Sequence, residues 1–261
     1  MPYSHRYSQR LGYISYKALK YSLKHSMIWG IQIDYIGEKM TCYVCIKAKI
    51  TCKAAPKESG KCAKKLGEKV YSDVWGPPRH LTIDKRLYYV SFTDDYSRES
   101  VNYLMGSKDQ VFLKYKLYKP MMLWQWDVCV QTLVSNYGGK YTSKEFENYS
   151  TLKGSRHKLM VHNTPEKNGV AEWLNCTLVK RTRDMLLESN LLKSLWGYGI
   201  LHANYIKNWM YTHSSPDKTP FKMVHGKKHN LHNAYEWGKD LYIKCCTHYT
   251  HIYTLAPGIT E

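Results

Sequence analysis

The stretch TLVSNYGGKYTSKEF, residues 132–146, holds a strand, a turn and the start of a helix. A short apolar run ends at Asn136, Gly138 and Gly139 make the turn, and a helical pattern begins after Thr142. Strand ends of this kind present a side chain for chemistry. Here that side chain is an amide, in surroundings that read as arranged for a carboxylate. Working upstream, VYSDVWG (70–76), LYYVSFTDD (87–95) and SVNYLMG (100–106) are three closely spaced β-type runs rich in Val, Tyr and Phe. Residues 107–124 read as a helix, 130–135 as a buried strand, 142–153 as a helix and RHKLMVH (156–162) as another strand. Thr164 then supplies an N-cap, Pro165 a first helical position and Glu166 an acidic first turn, opening a long helix to about residue 189. A further helix runs from about Lys193 to about Met210. The order β-β-β-α-β-α-β-α-α predicts a mixed sheet flanked by helices, an α/β layer architecture.

The amino-terminal part reads differently. Residues 1 to about 60 are basic and poor in strand signal, and YKALKYSLKHSM (16–27) reads as an amphipathic helix with Leu19, Leu23 and Met27 at four-residue spacing. The Lys-rich run KAKITCKAAPKESGKCAKKLGEK (47–69) reads as a linker or solvated arm, placing a boundary near 60–67. No internal repeat is visible.

With 261 residues and 43% hydrophobic content the chain is long enough for one good-sized domain and a small appendage. Lys and Arg number 39 against 21 Asp and Glu, a formal charge of +18 and a pI near 9.4. That balance points to a polyanionic partner, nucleic acid before membrane. No apolar run approaches the roughly 18 residues of a membrane span, and MPYSHRYSQR lacks a signal-peptide core. An intracellular setting is expected, the nucleus if the chain is functional. Of eight cysteines only Cys42 and Cys45 are suggestively spaced, half of a zinc site at best, since a structural zinc takes four Cys or His ligands. Cys52, Cys62, Cys129 and Cys176 are scattered, and the adjacent Cys245 and Cys246 cannot easily share one metal.

Two carboxylates stand out. Asp73 sits inside the first strand run, where a lone acid is costly unless it projects from the sheet edge or binds a cation. Glu172 lies on the long helix, where Glu172, Cys176 and Arg183 share one face and Val170, Leu174, Leu178 and Met185 the opposite, apolar one. The chain order is specific: Asp73 in DVWGP, then position 136 before GGKYTSKEF, then Glu172 in NGVAEWLN with thirty-five residues between the last two.

With that order, the blocks RLGYISYKAL, CYVCIKAK, YSDVWGP, YYVSFTDDYSR, VSNYGGKYTSKEF, HNTPEKNGVAEWLN, LWGYGILHANYIKN and KTPFKMVHGKKHNL make the chain resemble the integrase of copia-type retrotransposons, from about Tyr7 to Tyr242. That family lies within the larger group of retroviral integrases and RNase H-like nucleases. The resemblance implies an RNase H-like catalytic core over 63–228, a small helical zinc-binding-type segment over 1–62, and a tail over 229–261 that leaves the family pattern after about 244. It further implies metal-dependent polynucleotidyl transfer, with two Mg²⁺ or Mn²⁺ ions clamped by two Asp and a Glu. Asp73 matches the first acid and Glu172 the third, while Asn136 stands where the second Asp belongs. An amide oxygen can coordinate Mg²⁺ but brings no charge, so metal affinity and catalysis are expected to suffer.

Erosion continues elsewhere. Ser8 and Tyr13 stand where the family's zinc site carries His, leaving Cys42 and Cys45; His5, His25, Cys52 or Cys62 lack the family's spacing. A loosely ordered arm over 1–60 is therefore expected. Trp173, Cys176 and Lys140 replace the Arg, Arg and Glu of relatives. The changes to Tyr13, Asn136, Lys140, Trp173 and Cys176 each fit one C-to-T or G-to-A transition, as in a relic copy. The resemblance also assigns Lys167, Asn168, Lys180 and Arg183 to contact with DNA phosphates. It makes the element's DNA ends and target DNA the partners, and a dimer or tetramer plausible. Asp94 and Asp95 read as turn and capping residues, and His157 and His162 as packing or surface residues. KYKLYKP reads as an amphipathic helix with Phe112 and Tyr115 inside and lysines outside. Asn148 and Asn175 open glycosylation-type triplets without consequence inside a cell. A non-enzymatic DNA-binding or interaction protein derived from an integrase is the competing expectation.

Overall fold

A computed structural model describes residue 11, residues 16–30, 62–136, 141, 144–152, 154–160, 165–212, 218–231, 237–238, 240–244 and 249–253. Its centre is a five-stranded sheet formed by β1 (Val70–Trp75), β2 (Tyr88–Asp94), β3 (Ser100–Met105), β4 (Thr132–Asn136) and β5 (Arg156–Met160). Their spatial order is β3-β2-β1-β4-β5, antiparallel between β1, β2 and β3 and parallel between β1, β4 and β5. The order of strands and helices expected from the sequence is the order observed.

Helices cover both faces, which is why β2 is buried on both sides, its polar Ser91, Thr93 and Asp94 included. On one face Val70, Val90, Phe92, Met105 and Leu133 pack against Val111, Tyr115, Tyr118 and Met122 of α2 (Val111–Trp126) and Phe146 of α3 (Lys144–Leu152). Phe92 stacks on Tyr118 with centroids 4.6 Å apart, and Tyr115 on Phe146 at 5.2 Å, so rings fill most of this layer. One lysine departs from the amphipathic reading of α2: Lys119 is buried and donates to Ser155 Oγ, which in turn donates to the Val130 carbonyl. The oxygen of Ser155 receives that charge, and the Tyr149 ring lies 5.8 Å from Nζ.

The other face carries α4 (Pro165–Ser189) and α5 (Trp196–Trp209). Leu174, Leu178 and Met185 of α4 pack with Tyr89 of β2 and with Trp196, Ile200 and Ala203 of α5, so the apolar stripe of α4 faces the sheet as expected. The following helix α5 is buried almost all round, because its far side holds the amino-terminal helix α1 (Tyr16–Lys24). Leu11, Leu19 and Ile28 join Ile206, Trp209, Met210 and Leu231 in one cluster, and Trp29 bridges to Asn230. The expectation of a loosely ordered arm is corrected for residues 16–30, which are held by this apolar contact; the remainder of 1–60 lies outside the described residues. A short helix α6 (Pro220–His225), capped by Thr219, follows α5, and β6 (Asp240–Lys244) pairs antiparallel with β7 (Tyr249–Tyr253).

The β2–β3 turn anchors the entry to the sheet. Asp94 accepts from the Gly67 and Ser97 amides and the Ser97 hydroxyl, while Asp95 accepts from the Ala63 amide and pairs with Lys69 and Arg98. These are the turn and capping roles expected of them. Burial pushes the Asp94 carboxyl upward against the opposing pull of those donors.

Candidate active site

Strand geometry brings position 136 to Asp73. Along β1, Val70 and Val74 face α2, so Tyr71, Asp73 and Trp75 face α4. In β4, Leu133 faces α2, so Val134 and Asn136 face α4. The parallel register pairs Tyr71 with Val134 and Ser72 with Ser135, which sets Asp73 beside Asn136 one step further along. Asn136 Nδ2 donates to Asp73 Oδ1 at 3.0 Å. An ionised carboxylate only accepts, so the amide nitrogen, and not its oxygen, is the end that faces Asp73.

A third residue completes the arrangement from the helix side. Asn175 of α4, buried at 6% exposure, donates through Nδ2 to Asp73 Oδ2 at 2.8 Å, and its Oδ1 accepts from the Tyr89 hydroxyl at 2.9 Å. Both oxygens of Asp73 thus receive amide donors, and the second amide is itself oriented from β2. Burial, with the neighbouring Asp73 charge as the lesser cause, raises the Tyr89 hydroxyl well above its ordinary range, which keeps it a proton donor. Behind the strands, Ser72 Oγ and Tyr141 OH lie 2.6 Å apart, and Ser135 Oγ lies 2.9 Å from His157 Nε2. His157 also packs on Phe146 and Tyr141, the packing role expected of it. Burial moves the His157 ring below its usual range.

Glu172 is solvent-exposed on α4, one helical turn before Asn175. Lys180 is half-buried and Arg183 exposed on the same helix, with Trp173 exposed and Cys176 half-buried. Lys167 and Asn168 fall in its first turn, but their side chains, like Cys42, Cys45, Cys52, Lys140 and His162, lie outside the described residues. His25 is exposed and stacks against Tyr21, and Cys62 is exposed and accepts from Arg98.

The residue that sequence reading missed is Asn175. The signal available was a lone amide beside the packing stripe of α4, between Leu174 and Leu178, where a polar side chain needs a buried partner.

The donor set is short of a two-metal site. The 3.0 Å between Asp73 and Asn136 matches the roughly 3 Å between neighbouring oxygens on octahedral Mg²⁺. Yet the atom placed there is an N–H donor, and among the described residues no group of three or more His, Cys, Asp or Glu is placed to hold a metal ion. The Asn136 ligand atom expected from the sequence is its oxygen, and the end of the amide that meets Asp73 is its nitrogen.

No family model matches the chain. A curated relative, the retrovirus-related Pol polyprotein from transposon TNT 1-94 of Nicotiana tabacum, is 34% identical over 200 residues, 77% of this chain. The chain belongs to the integrase region of copia-type retrotransposon Pol polyproteins. The corresponding polyprotein from transposon RE2 of Arabidopsis thaliana is 29% identical over 171 residues, 66% of the chain. The matched segments are 15% and 12% of those polyproteins, so this integrase-type chain spans a small part of each relative's length. Among solved structures, a chain of the simian T-cell lymphotropic virus intasome in complex with PP2A regulatory subunit B56 gamma superposes with a TM-score of 0.52 at 15% identity. It covers 71% of this chain and 63% of that one. The fold is therefore the RNase H-like integrase core.

Proposed function

We propose that this chain is a DNA-binding integrase core whose polynucleotidyl transfer is disabled at position 136. In this reading Asp73, Asn136 and Glu172 occupy the three acid positions of the family. Lys167, Asn168, Lys180 and Arg183 meet the phosphates of the element's DNA ends, and copies of the chain gather around two ends. The observation that carries the reading is the 3.0 Å hydrogen bond that Asn136 Nδ2 donates to Asp73. A second carboxylate at that place would bring negative charge for a divalent cation; the amide brings none. Since each 1.36 kcal/mol of barrier is tenfold in rate, loss of a charged ligand worth several kcal/mol removes activity by orders of magnitude. Sequence similarity to the polyproteins and the net charge of +18 support the DNA-binding half.

The test is 3′-end nicking and strand transfer on labelled element-end DNA with Mn²⁺, comparing the unmodified chain, Asn136→Asp, and Asn136→Asp with Glu172→Gln. Activity in Asn136→Asp alone is the expected result. Activity of the unmodified chain that disappears on Glu172→Gln overturns the reading.

A further inference from the structure

Resting on the assignment of Asp73 and position 136 to the metal pair, we infer that Asn136 and Asn175 form an amide latch across Asp73 that makes the folded core independent of divalent metal. A site built for cations holds acids close together and depends on a cation to offset their repulsion. Here the same place holds one acid between two amides. Asn136 Nδ2 takes Asp73 Oδ1 at 3.0 Å and Asn175 Nδ2 takes Oδ2 at 2.8 Å. The Tyr89 hydroxyl fixes the second amide by donating to its oxygen at 2.9 Å, which leaves Nδ2 as the end that faces the carboxylate.

The latch is more than the loss of a ligand. A cation entering between Asp73 and Asn136 must break the Asn136 bond, turn the amide over and compete with the Asn175 donor for the same carboxylate. Hydrogen bonds to an ionised acceptor are among the stronger ones, so each is an obstacle to entry. Conversely, an acid at 136 would set two ionised carboxylates at hydrogen-bonding distance, a like-charge contact that a bound cation, or failing that a shared proton, relieves. The substitution therefore exchanges a metal-dependent site for a self-satisfied one, and a gain in stability at the expense of activity is the usual direction of such exchanges.

The experiment measures the melting temperature of the full chain in EDTA and in Mn²⁺, together with Mn²⁺ uptake followed by the electron paramagnetic resonance of the free ion. For the unmodified chain the two melting temperatures agree. Asn136→Asp melts lower in EDTA by about 2–6 °C, recovers in Mn²⁺, and binds Mn²⁺ about tenfold or more tightly than the unmodified chain. Asn136→Ala, which removes the donor without adding charge, also melts lower and is indifferent to Mn²⁺. Mn²⁺ uptake by the unmodified chain that Glu172→Gln abolishes overturns the latch, as does an Asn136→Ala chain that melts no lower than the unmodified one. Should Asn136→Asp bind Mn²⁺ as expected yet transfer no strand, the latch stands and the functional reading fails.

Discussion

Asp73 is held from two directions by residues that are far apart in sequence, and only one of the two was legible there. Position 136 announced itself by ending a strand before a Gly-Gly turn, in a fixed order with Asp73 and Glu172. Asn175 gave a triplet that reads equally well as a glycosylation signal, and its burial at 6% exposure against Tyr89 and Asp73 is a fact of packing. The Tyr89 hydroxyl is the test of this chain of contacts. Tyr89→Phe leaves the buried Asn175 oxygen without that donor, and an unmet buried acceptor costs about 1–3 kcal/mol. Urea denaturation of Tyr89→Phe, Asn175→Leu and the double variant is expected to show a double loss smaller than the sum of the single losses. Strict additivity would show that the two side chains do not act together.

At the scale of elements, periodicity located the strands and helices well because each buries a face of fixed repeat: two residues in β1 and β4, about 3.6 in α4. It was weaker for α5, where LHANYIKNW mixes polar and apolar residues of which all but Leu201 and Tyr205 become buried. Lys207 Nζ donates to the Arg98 carbonyl, Ser100 Oγ and Asn208 Oδ1, while Asn204 and Asn208 both donate to the Ser100 carbonyl. These polar residues clamp α5 to the edge strand β3. Burial drives Lys207 down and its neighbour Glu99 up, each restrained by the opposite charge of the other. His202 sits on the same helix at 6% exposure, and neither ring nitrogen has a hydrogen-bond partner among the described residues. Burial lowers its pKa from 6.5 to about 4. As pH falls the unfolded chain takes the proton first, so this contribution to stability is full above about pH 6.5 and is lost progressively toward pH 4. The shift corresponds to about 3 kcal/mol. His202→Gln is expected to flatten the stability-versus-pH curve in that window, measured by denaturation at successive pH values. An unchanged slope would show that the ring is not buried neutral.

For the molecule as a whole, charge and topology carry different information. A formal charge of +18 favours an anionic partner, and that expectation needs no fold. Which lysines and arginines of α4 are free to meet the proposed DNA partner depends on its faces: Leu174, Leu178 and Met185 are committed to the core and Arg183 is left exposed. The logarithm of affinity for element-end duplex is expected to fall linearly with the logarithm of salt concentration, and Lys180→Ala and Arg183→Ala each to reduce the slope by about 1. Titrations of the two variants from low to physiological salt check this; slopes equal to that of the unmodified chain would move the DNA contact to another face.

The sequence by itself determined the α/β architecture, the order of its elements, the chain's own strongly positive charge and the family, since these follow from local periodicity, composition and linear order. The tertiary structure alone decided which end of the Asn136 amide faces Asp73, that Asn175 and Tyr89 complete the cluster, and that residues 16–30 lean on the last core helix. Those features depend on strand register and on side chains meeting across 63, 102 and 86 positions of chain, and no local pattern encodes such meetings.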